Sequence, residues 1–230
     1  MIDIHTHILP EIDDGLGTWS EFIEVTNLAK AGGIEKIVAT PHIIDGRLNS
    51  KQITKILKES QAKVSTEICF GAELSLLWAI DKSSDILREY TLNQNGCMLL
   101  IELSYIGQVM GLRDFFWRLR GEGFTPIIAH IERYPYLELE NYHELRISGV
   151  FFQVNIGSFL GHHGTAVKNK ALLLLNNNLI SLLATDLHRR EDYFDFANTV
   201  RKLEKMMSTK QLELFFKHNP SRVLRGVEPE

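Results

Sequence analysis

Pro126-Ile-Ile-Ala-His130 decides how the rest of this chain is read. A short, nearly continuous apolar run closes on a histidine. Such a run suits a parallel strand buried on both faces, because a strand with one wet face would alternate. Met98-Leu-Leu-Ile-Glu102 has the same form, with an acid in place of the imidazole. Working outward, strands are expected at 2–4, 36–40, 67–71, 98–103, 125–129, 150–154 and 180–185.

Helical patterns fill the intervals. Thr18 and Glu21 have capping-box spacing ahead of Phe22, Ile23, Leu28 and Ala29, and Gly32-Gly33 is a stop. Ser50 is the expected cap of the next helix, with Ile53, Ile56, Leu57 and Val64 on one face. Leu112, Phe115, Phe116 and Leu119 form another stripe, ending near Gly121 and Gly123. Further helices are expected near 138–148, 166–177 and 192–217, the last broken around Ser208. Strand–helix alternation of this kind argues for parallel βα units. Seven units predict an α/β fold, a distorted (β/α)7 TIM-like barrel. An open doubly wound sheet is the alternative, weakened because no Gly-rich phosphate fingerprint follows any strand. No Pro/Ser linker or low-complexity segment divides the chain, so residues 1–230 read as one domain.

Composition narrows the function classes. Hydrophobic residues make up 44% and charged residues 23% of the chain, as in a globular protein. Basic and acidic residues number 25 and 29 with no Lys/Arg block, so no nucleic-acid footprint is present. Cys69 and Cys97 are too few for a disulfide scaffold and sit in apolar runs. They read as reduced, buried thiols of a cytoplasmic protein. Met1-Ile-Asp-Ile-His-Thr-His7 has neither the basic nor the apolar region of a signal peptide. The most apolar later stretch, Ala171 to Leu183, is interrupted by Asn176, Asn177 and Asn178. Membrane insertion is therefore not expected.

The chemistry lies at the strand ends. His5 and His7 follow the first strand, and Asp14 comes soon after in Ile12-Asp-Asp-Gly15. His42, Glu73, Glu102 and His130 close the next four, and Asp186 and His188 close the last. From Asp14 to His42 is 28 positions, then 31 to Glu73, 29 to Glu102, 28 to His130 and 56 to Asp186. A strand with its returning helix takes roughly 30 residues. Each unit thus delivers a metal-capable side chain at one phase of the repeat. The strand before the double interval ends in Gln153 and Asn155 instead. In parallel barrels the C-terminal strand ends meet at one mouth. His5/His7 and Asp186/His188 are i, i+2 pairs, which point the same way in an extended segment.

Any one of these residues alone is more often structural or merely exposed. Nine in phase with the repeat argue jointly for a metal site. Mixed imidazole and carboxylate without thiolate suits Zn, Mn or Fe, and Mg less well. Nine ligands exceed the needs of one ion, and a cluster of two or three suits phosphoester or amide hydrolysis. Arg133, three residues after His130, favours phosphate, because a guanidinium can fork onto two phosphate oxygens. Its plainer reading is a surface ion pair with Glu132. Trp19, Trp78 and Trp117 read as core or rim aromatics. His162-His163 reads as a surface loop bordering the mouth.

These motifs resemble a family. Met1-Ile-Asp-Ile-His-Thr-His7, Ile12-Asp-Asp-Gly15, Ala39-Thr-Pro-His42, Gly71-Ala-Glu73, Ile101-Glu-Leu103, Ala129-His-Ile-Glu-Arg-Tyr134, Ala184-Thr-Asp-Leu-His188 and the tail Asn219-Pro-Ser-Arg-Val223 look like the PHP (polymerase and histidinol phosphatase) superfamily. The likeness is to its bacterial protein-tyrosine phosphatases of capsular and exopolysaccharide operons, the CpsB/YwqE/CapC type. It implies a distorted (β/α)7 barrel with three metal ions, typically manganese. His5, His7, Glu73 and Asp186 would hold the first ion. Glu73, Glu102 and His130 would hold the second, and Asp14, His42 and His188 the third. Arg133 would bind the phosphate. The implied substrate is the phosphotyrosine tail of a tyrosine autokinase controlling polysaccharide export. Many relatives carry a second His or basic residues directly after the His42 position. Here Ile43 and Ile44 follow, with Arg47 further on. The alternatives are a small-molecule phosphomonoesterase, such as histidinol phosphatase, and an inactive metal-stabilised binding module.

Overall fold

The strand β1 (Ile2–Thr6) is buried along its whole length. It pairs in parallel with β2 (Lys36–Ala39). In this computed structural model, which describes residues 1–107, 110–194 and 196–230 (Phe194 by its backbone alone), seven more strands follow. They are β3 (His42–Ile43), β4 (Glu67–Phe70), β5 (Glu73–Ser75), β6 (Met98–Glu102), β7 (Thr125–Ile128), β8 (Phe151–Asn155) and β9 (Leu182–Ala184). Two parallel sheets run in the orders β1-β2-β4 and β3-β5-β6-β7-β8-β9.

All seven expected strands form, and β3 and β5 are two further short ones just past the expected 36–40 and 67–71. β2 and β3 are parted at Thr40-Pro41, where proline has no N–H for a ladder. The Thr40 amide instead donates to Thr6 at 2.8 Å, and the Glu73 amide donates to Pro41 at 3.1 Å. β4 and β5 are parted at Gly71-Ala72. A Cβ at Gly71 would meet the Val38 and Thr40 side chains at 2.8 and 2.9 Å, so only glycine fits this close approach.

The last strand returns to the first. Thr6 and Leu187 form a parallel bridge. The Asp186 amide donates to the His5 carbonyl at 3.0 Å, and the His7 amide to the Leu187 carbonyl at 2.8 Å. Buried Asp3 reinforces this seam, accepting 2.5 Å hydrogen bonds from the Thr185 and Tyr193 hydroxyls. The result is a distorted seven-unit barrel.

Two apolar layers explain the continuous apolar runs. Met98 and Leu100 belong to one cluster with Ile4, Val38, Ile127 and Leu182. Leu99 and Ile101, the alternate positions of the same strand, belong to the larger cluster that includes helix residues Phe22, Phe116 and Leu174. Successive strand residues face opposite ways, so a strand covered on both faces must be apolar at every position.

The helices follow the sequence signals with a few shifts. Thr18 caps the helix Trp19–Ala31, accepting from the Glu21 amide, while the Glu21 carboxylate turns back to the Gly17 amide at 3.1 Å. Asn49, not Ser50, caps Ser50–Gln61 through a reciprocal box with Gln52. Ser50 lies inside the first turn, and its hydroxyl donates to Glu89 at 2.6 Å. Leu112–Gly121 buries its Leu112, Phe115, Phe116 and Leu119 stripe. Ser208 caps Thr209–Glu213, which continues through a π-helical turn into Asn219–Leu224. Both cysteines are free thiols. Cys69 is buried, but Cys97 is only half-buried, because it lies just before β6. Trp117 is 71% exposed on the outer side of its helix. Among the described residues, no helix is long and apolar enough to cross a membrane.

Candidate metal centre

The site lies at the C-terminal ends of β1, β6, β7 and β9 and at the starts of the short β3 and β5, where His42 and Glu73 open their strands instead of closing the preceding ones. β1 brings His5, with His7 just beyond it, and β3, β5 and β6 bring His42, Glu73 and Glu102. His130 follows β7, and Asp186 and His188 follow β9. His130 and Asp186 both take left-handed backbone conformations, with φ of 31° and 56°. For non-glycine residues this costs about 1–3 kcal/mol each, and such strain gathers at functional sites. At His130 the turn is held by the Gln153 side chain, whose Oε1 accepts the His130 amide at 2.8 Å.

Asp14 arrives on a loop folded back onto His7. The Leu16 amide donates to the His7 carbonyl at 3.3 Å. Gly15 makes this approach possible, since a Cβ there would lie 2.0 Å from the His7 carbonyl oxygen.

All nine side chains singled out by spacing converge at this mouth. They form four overlapping groups, in each of which one ligand atom per residue lies within 4.8 Å of the others. The groups are His5/Glu73/His130, His5/His7/Asp186, His42/Glu73/Glu102 and His7/Asp14/His42/His188.

The hydrogen bonds at the back of the rings determine what the front can do. His5 Nδ1 faces Gln153 Oε1 at 3.0 Å, and His7 Nδ1 faces the Asp13 carboxylate at 2.7 Å. His188 Nδ1 faces the Asp186 carbonyl at 2.8 Å. All three partners are acceptors, so each Nδ1 carries the proton and each neutral ring turns an Nε2 lone pair forward. The Nε2 atoms of His5 and His7 are 3.3 Å apart. Both lie 3.3 Å from Glu73 Oε2, and 3.3 and 3.5 Å from Asp186 Oδ1. Those two oxygens are buried and, among the described residues, have no aligned hydrogen-bond donor. Lone pairs therefore face lone pairs in a buried space, an arrangement that a cation satisfies. The donor set thus fits a divalent metal cluster.

Protonation is the other way to relieve the same crowding. Burial alone would lower the His5 pKa, but the Glu73 and Asp186 carboxylates outweigh it and raise it to about 9. Burial likewise opposes the charge on Glu73, yet His5, His130 and His42 hold its carboxyl well below the usual range. Glu102 is pushed up, first by burial and then by the Glu73 charge. His188 is pushed down by burial and by neighbouring His7.

Arg133 does not pair with Glu132. Its Nη1 donates to Asp186 Oδ2 at 3.1 Å, and its guanidinium lies 5.0 Å from the centre of the Tyr105 ring. Glu132 is instead buried, accepting from the Ser158 hydroxyl at 2.6 Å and the Asn155 amide at 3.0 Å. Arg133 lines a cleft of about 750 Å³ that opens over the centre. His162 and His163 are exposed and border the same cleft, as the loop position suggests.

Several supporting residues escaped the sequence reading. Asp13 holds His7 and also accepts the His42 amide at 3.2 Å. Gln153 holds His5 and His130. Asn155 donates to Asp186 Oδ2 at 2.8 Å. Tyr105 places its hydroxyl 3.3 Å from His130 Nδ1. The signals were present for three of them: Asp13 is half of the Asp-Asp pair, and Gln153 and Asn155 fill the gap in the ligand series.

A parallel barrel with imidazoles and carboxylates crowding its mouth defines the class of the metal-dependent barrel hydrolases. The chain belongs to the family described as capsular polysaccharide synthesis, CpsB/CapC, whose model matches residues 1–225. It is 32% identical over 203 residues to the tyrosine-protein phosphatase YwqE of Bacillus subtilis, covering 82% of this chain and 77% of that protein. It is 28% identical to the putative tyrosine-protein phosphatase CapC of Staphylococcus aureus over 98% of this chain and 89% of CapC. A solved structure from work on YwqE and on CpsB of Streptococcus pneumoniae, described as unique metal-dependent tyrosine phosphatases, superposes with a TM-score of 0.86. That match covers 100% of this chain and 97% of the other at 26% identity. The phosphotriesterase homology protein of Escherichia coli shares the fold, with a TM-score of 0.66 at 10% identity, covering 97% and 98% of the two chains.

Proposed function

We propose that this protein is a cytoplasmic, manganese-dependent protein-tyrosine phosphatase acting on a tyrosine autokinase of capsular or exopolysaccharide synthesis. The observation that carries this reading is the set of buried Nε2 and carboxylate lone pairs facing one another, with Arg133 beside them. Family membership supports the substrate class.

His5, His7, Glu73 and Asp186 would hold one ion. Glu73, Glu102 and His130 would hold a second, and Asp14, His42 and His188 a third. Residues 1–230 act as one domain, since the barrel closes only when Asp186 and Leu187 meet His5, Thr6 and His7. When bound, such a cluster supplies an acidified water and neutralises charge on the phosphate oxygens.

The protein's own groups do the rest. Asp186 holds Arg133 through one nitrogen, so the remaining fork can take phosphate oxygens across the cleft. Asp13, Gln153 and the Asp186 carbonyl keep the protons of His7, His5 and His188 on Nδ1. The leaving phenol has an ordinary pKa of about 10, so its departure needs less protonation than that of an alkyl alcohol.

The test is hydrolysis of p-nitrophenyl phosphate and a phosphotyrosine peptide by metal-stripped protein, with Mn, Zn, Fe and Mg added back separately. Activity that survives chelation would falsify the proposal. Faster turnover of histidinol phosphate than of the peptide would move the substrate to the small-molecule class.

A further inference from the structure

The centre is not the floor of a closed pocket. The cleft of about 750 Å³ is joined to a second recess of about 450 Å³ through Asp14, His42 and Glu102, which line both. The second recess adds Ile12, Ile44 and Leu48. It is joined in turn to a third, of about 480 Å³, through Ile12, Arg47 and Leu48. The three recesses make one trough leading away from the metal ligands on the β3 side.

The chemistry of this arm is specific. Ile44 is 62% exposed, two residues beyond His42, with buried Ile43 between them. Ile44 lies in a bend just past β3 and lines the same recess as His42. Ile12 and Leu48 are half-buried beside it. Arg47, the nearest cation, directs both Nε and Nη2 at the Asp45 carboxylate, so its charge is already matched. The second recess therefore offers apolar surface with no unmatched cation among its lining residues, and Lys55 lines only the third.

We infer that the Ile12–Ile44–Leu48 arm of the trough seats an apolar residue of the substrate protein close to the phosphotyrosine. A small phosphomonoester would occupy the central cleft alone. An extended peptide advances about 3.3 Å per residue, so a neighbouring side chain falls over the arm while the phosphate stays at the centre. This inference rests on the proposed phosphotyrosine phosphatase activity and adds its sequence preference.

The test uses the metal-loaded full chain and short phosphotyrosine peptides carrying Leu or Ser at each of the three positions on either side. The expected result is a preference for Leu of about tenfold in kcat/KM at a position on one side only. Ile44→Ser should abolish that preference through KM and leave p-nitrophenyl phosphate turnover unchanged, while Ile44→Leu should keep both. A wild-type protein indifferent to Leu and Ser, or an Ile44→Ser variant with the preference intact, overturns the trough. A wild-type protein that hydrolyses p-nitrophenyl phosphate but no phosphotyrosine peptide overturns the proposed function and this inference with it.

Discussion

Asp13 Oδ2 lies 2.7 Å from His7 Nδ1 and 3.2 Å from the backbone nitrogen of His42. One carboxylate that is not itself in any of the ligand groups thus ties together two residues that are. Its Oδ1 also accepts the Gly15 amide at 3.1 Å, which fixes the loop carrying Asp14.

Replacing Asp13 should therefore weaken metal binding without touching a ligand. Partners behind metal-bound imidazoles are worth about 10–100-fold in affinity. Asp13→Ala is expected to fall in that range, and Asp13→Asn to fall less because its carbonyl still accepts from His7. Metal content after dialysis against graded chelator reads this directly. An Asp13→Ala protein that retains full stoichiometry at every chelator level would show that the contact is incidental.

Arg133 carries the phosphate in the proposed reaction. Loss of a charged donor aimed at a developing oxyanion costs about 10²–10³ in kcat. Arg133→Ala should show such a loss on p-nitrophenyl phosphate. Arg133→Lys should recover only part of it, since an ammonium cannot fork. Steady-state kinetics at saturating metal decides, and parental turnover in both variants would remove Arg133 from the site.

Stability should depend on pH in opposite senses with and without metal. In metal-stripped protein His5 titrates at about 9, raised by Glu73 and Asp186 against the effect of burial. In the unfolded chain it titrates near ~6.5. A raised folded-state pKa adds stability that is complete below about pH 6.5 and lost as pH climbs toward about 9. The metal needs the same nitrogen deprotonated, so its hold grows over that interval. The rise in Tm on adding Mn2+ should be larger at about pH 8.5 than at about pH 6.5. A rise that shrinks as pH increases would contradict this account.

Gly15→Ala should damage the site more than the fold. The added carbon would stand 2.0 Å from the His7 carbonyl oxygen, so the loop must move and take Asp14 with it. Near-parental far-UV circular dichroism with about one metal ion fewer per chain is expected, because Asp14 belongs to only one of the four ligand groups. Full metal content would show that the loop can reseat Asp14 by another path.

The barrel and the convergence of ligands were legible because one phase of a repeating unit carried both. Glu102 stood out as an acid inside an apolar strand. What could not be read depended on local geometry. Asn49 and Ser50 can both cap a helix, and only the extended backbone of Asn49, with φ −114° and ψ 164°, assigns the role. Asp13 and Asp14 are adjacent and chemically identical, so the fold of the loop decides which faces the ligands' front and which their back. Glu132 and Arg133 are also adjacent, yet one turns into the protein toward Ser158 and the other out toward Asp186. Gln153 and Asn155 stood at the gap in the ligand series, but as neutral amides they gave no hint there of the hydrogen bonds by which they hold His5, His130 and Asp186.

The seam between β1 and β9 has a consequence for the order of events in the cell. His5 and His7 leave the ribosome early, but their counterparts Asp186 and His188 emerge some 180 residues later. A nascent chain that stops short of Asp186 holds only fragments of the centre. The groups that need Asp186 or His188 are completed only when those residues emerge, and an ion held by them would tie together segments far apart in the sequence.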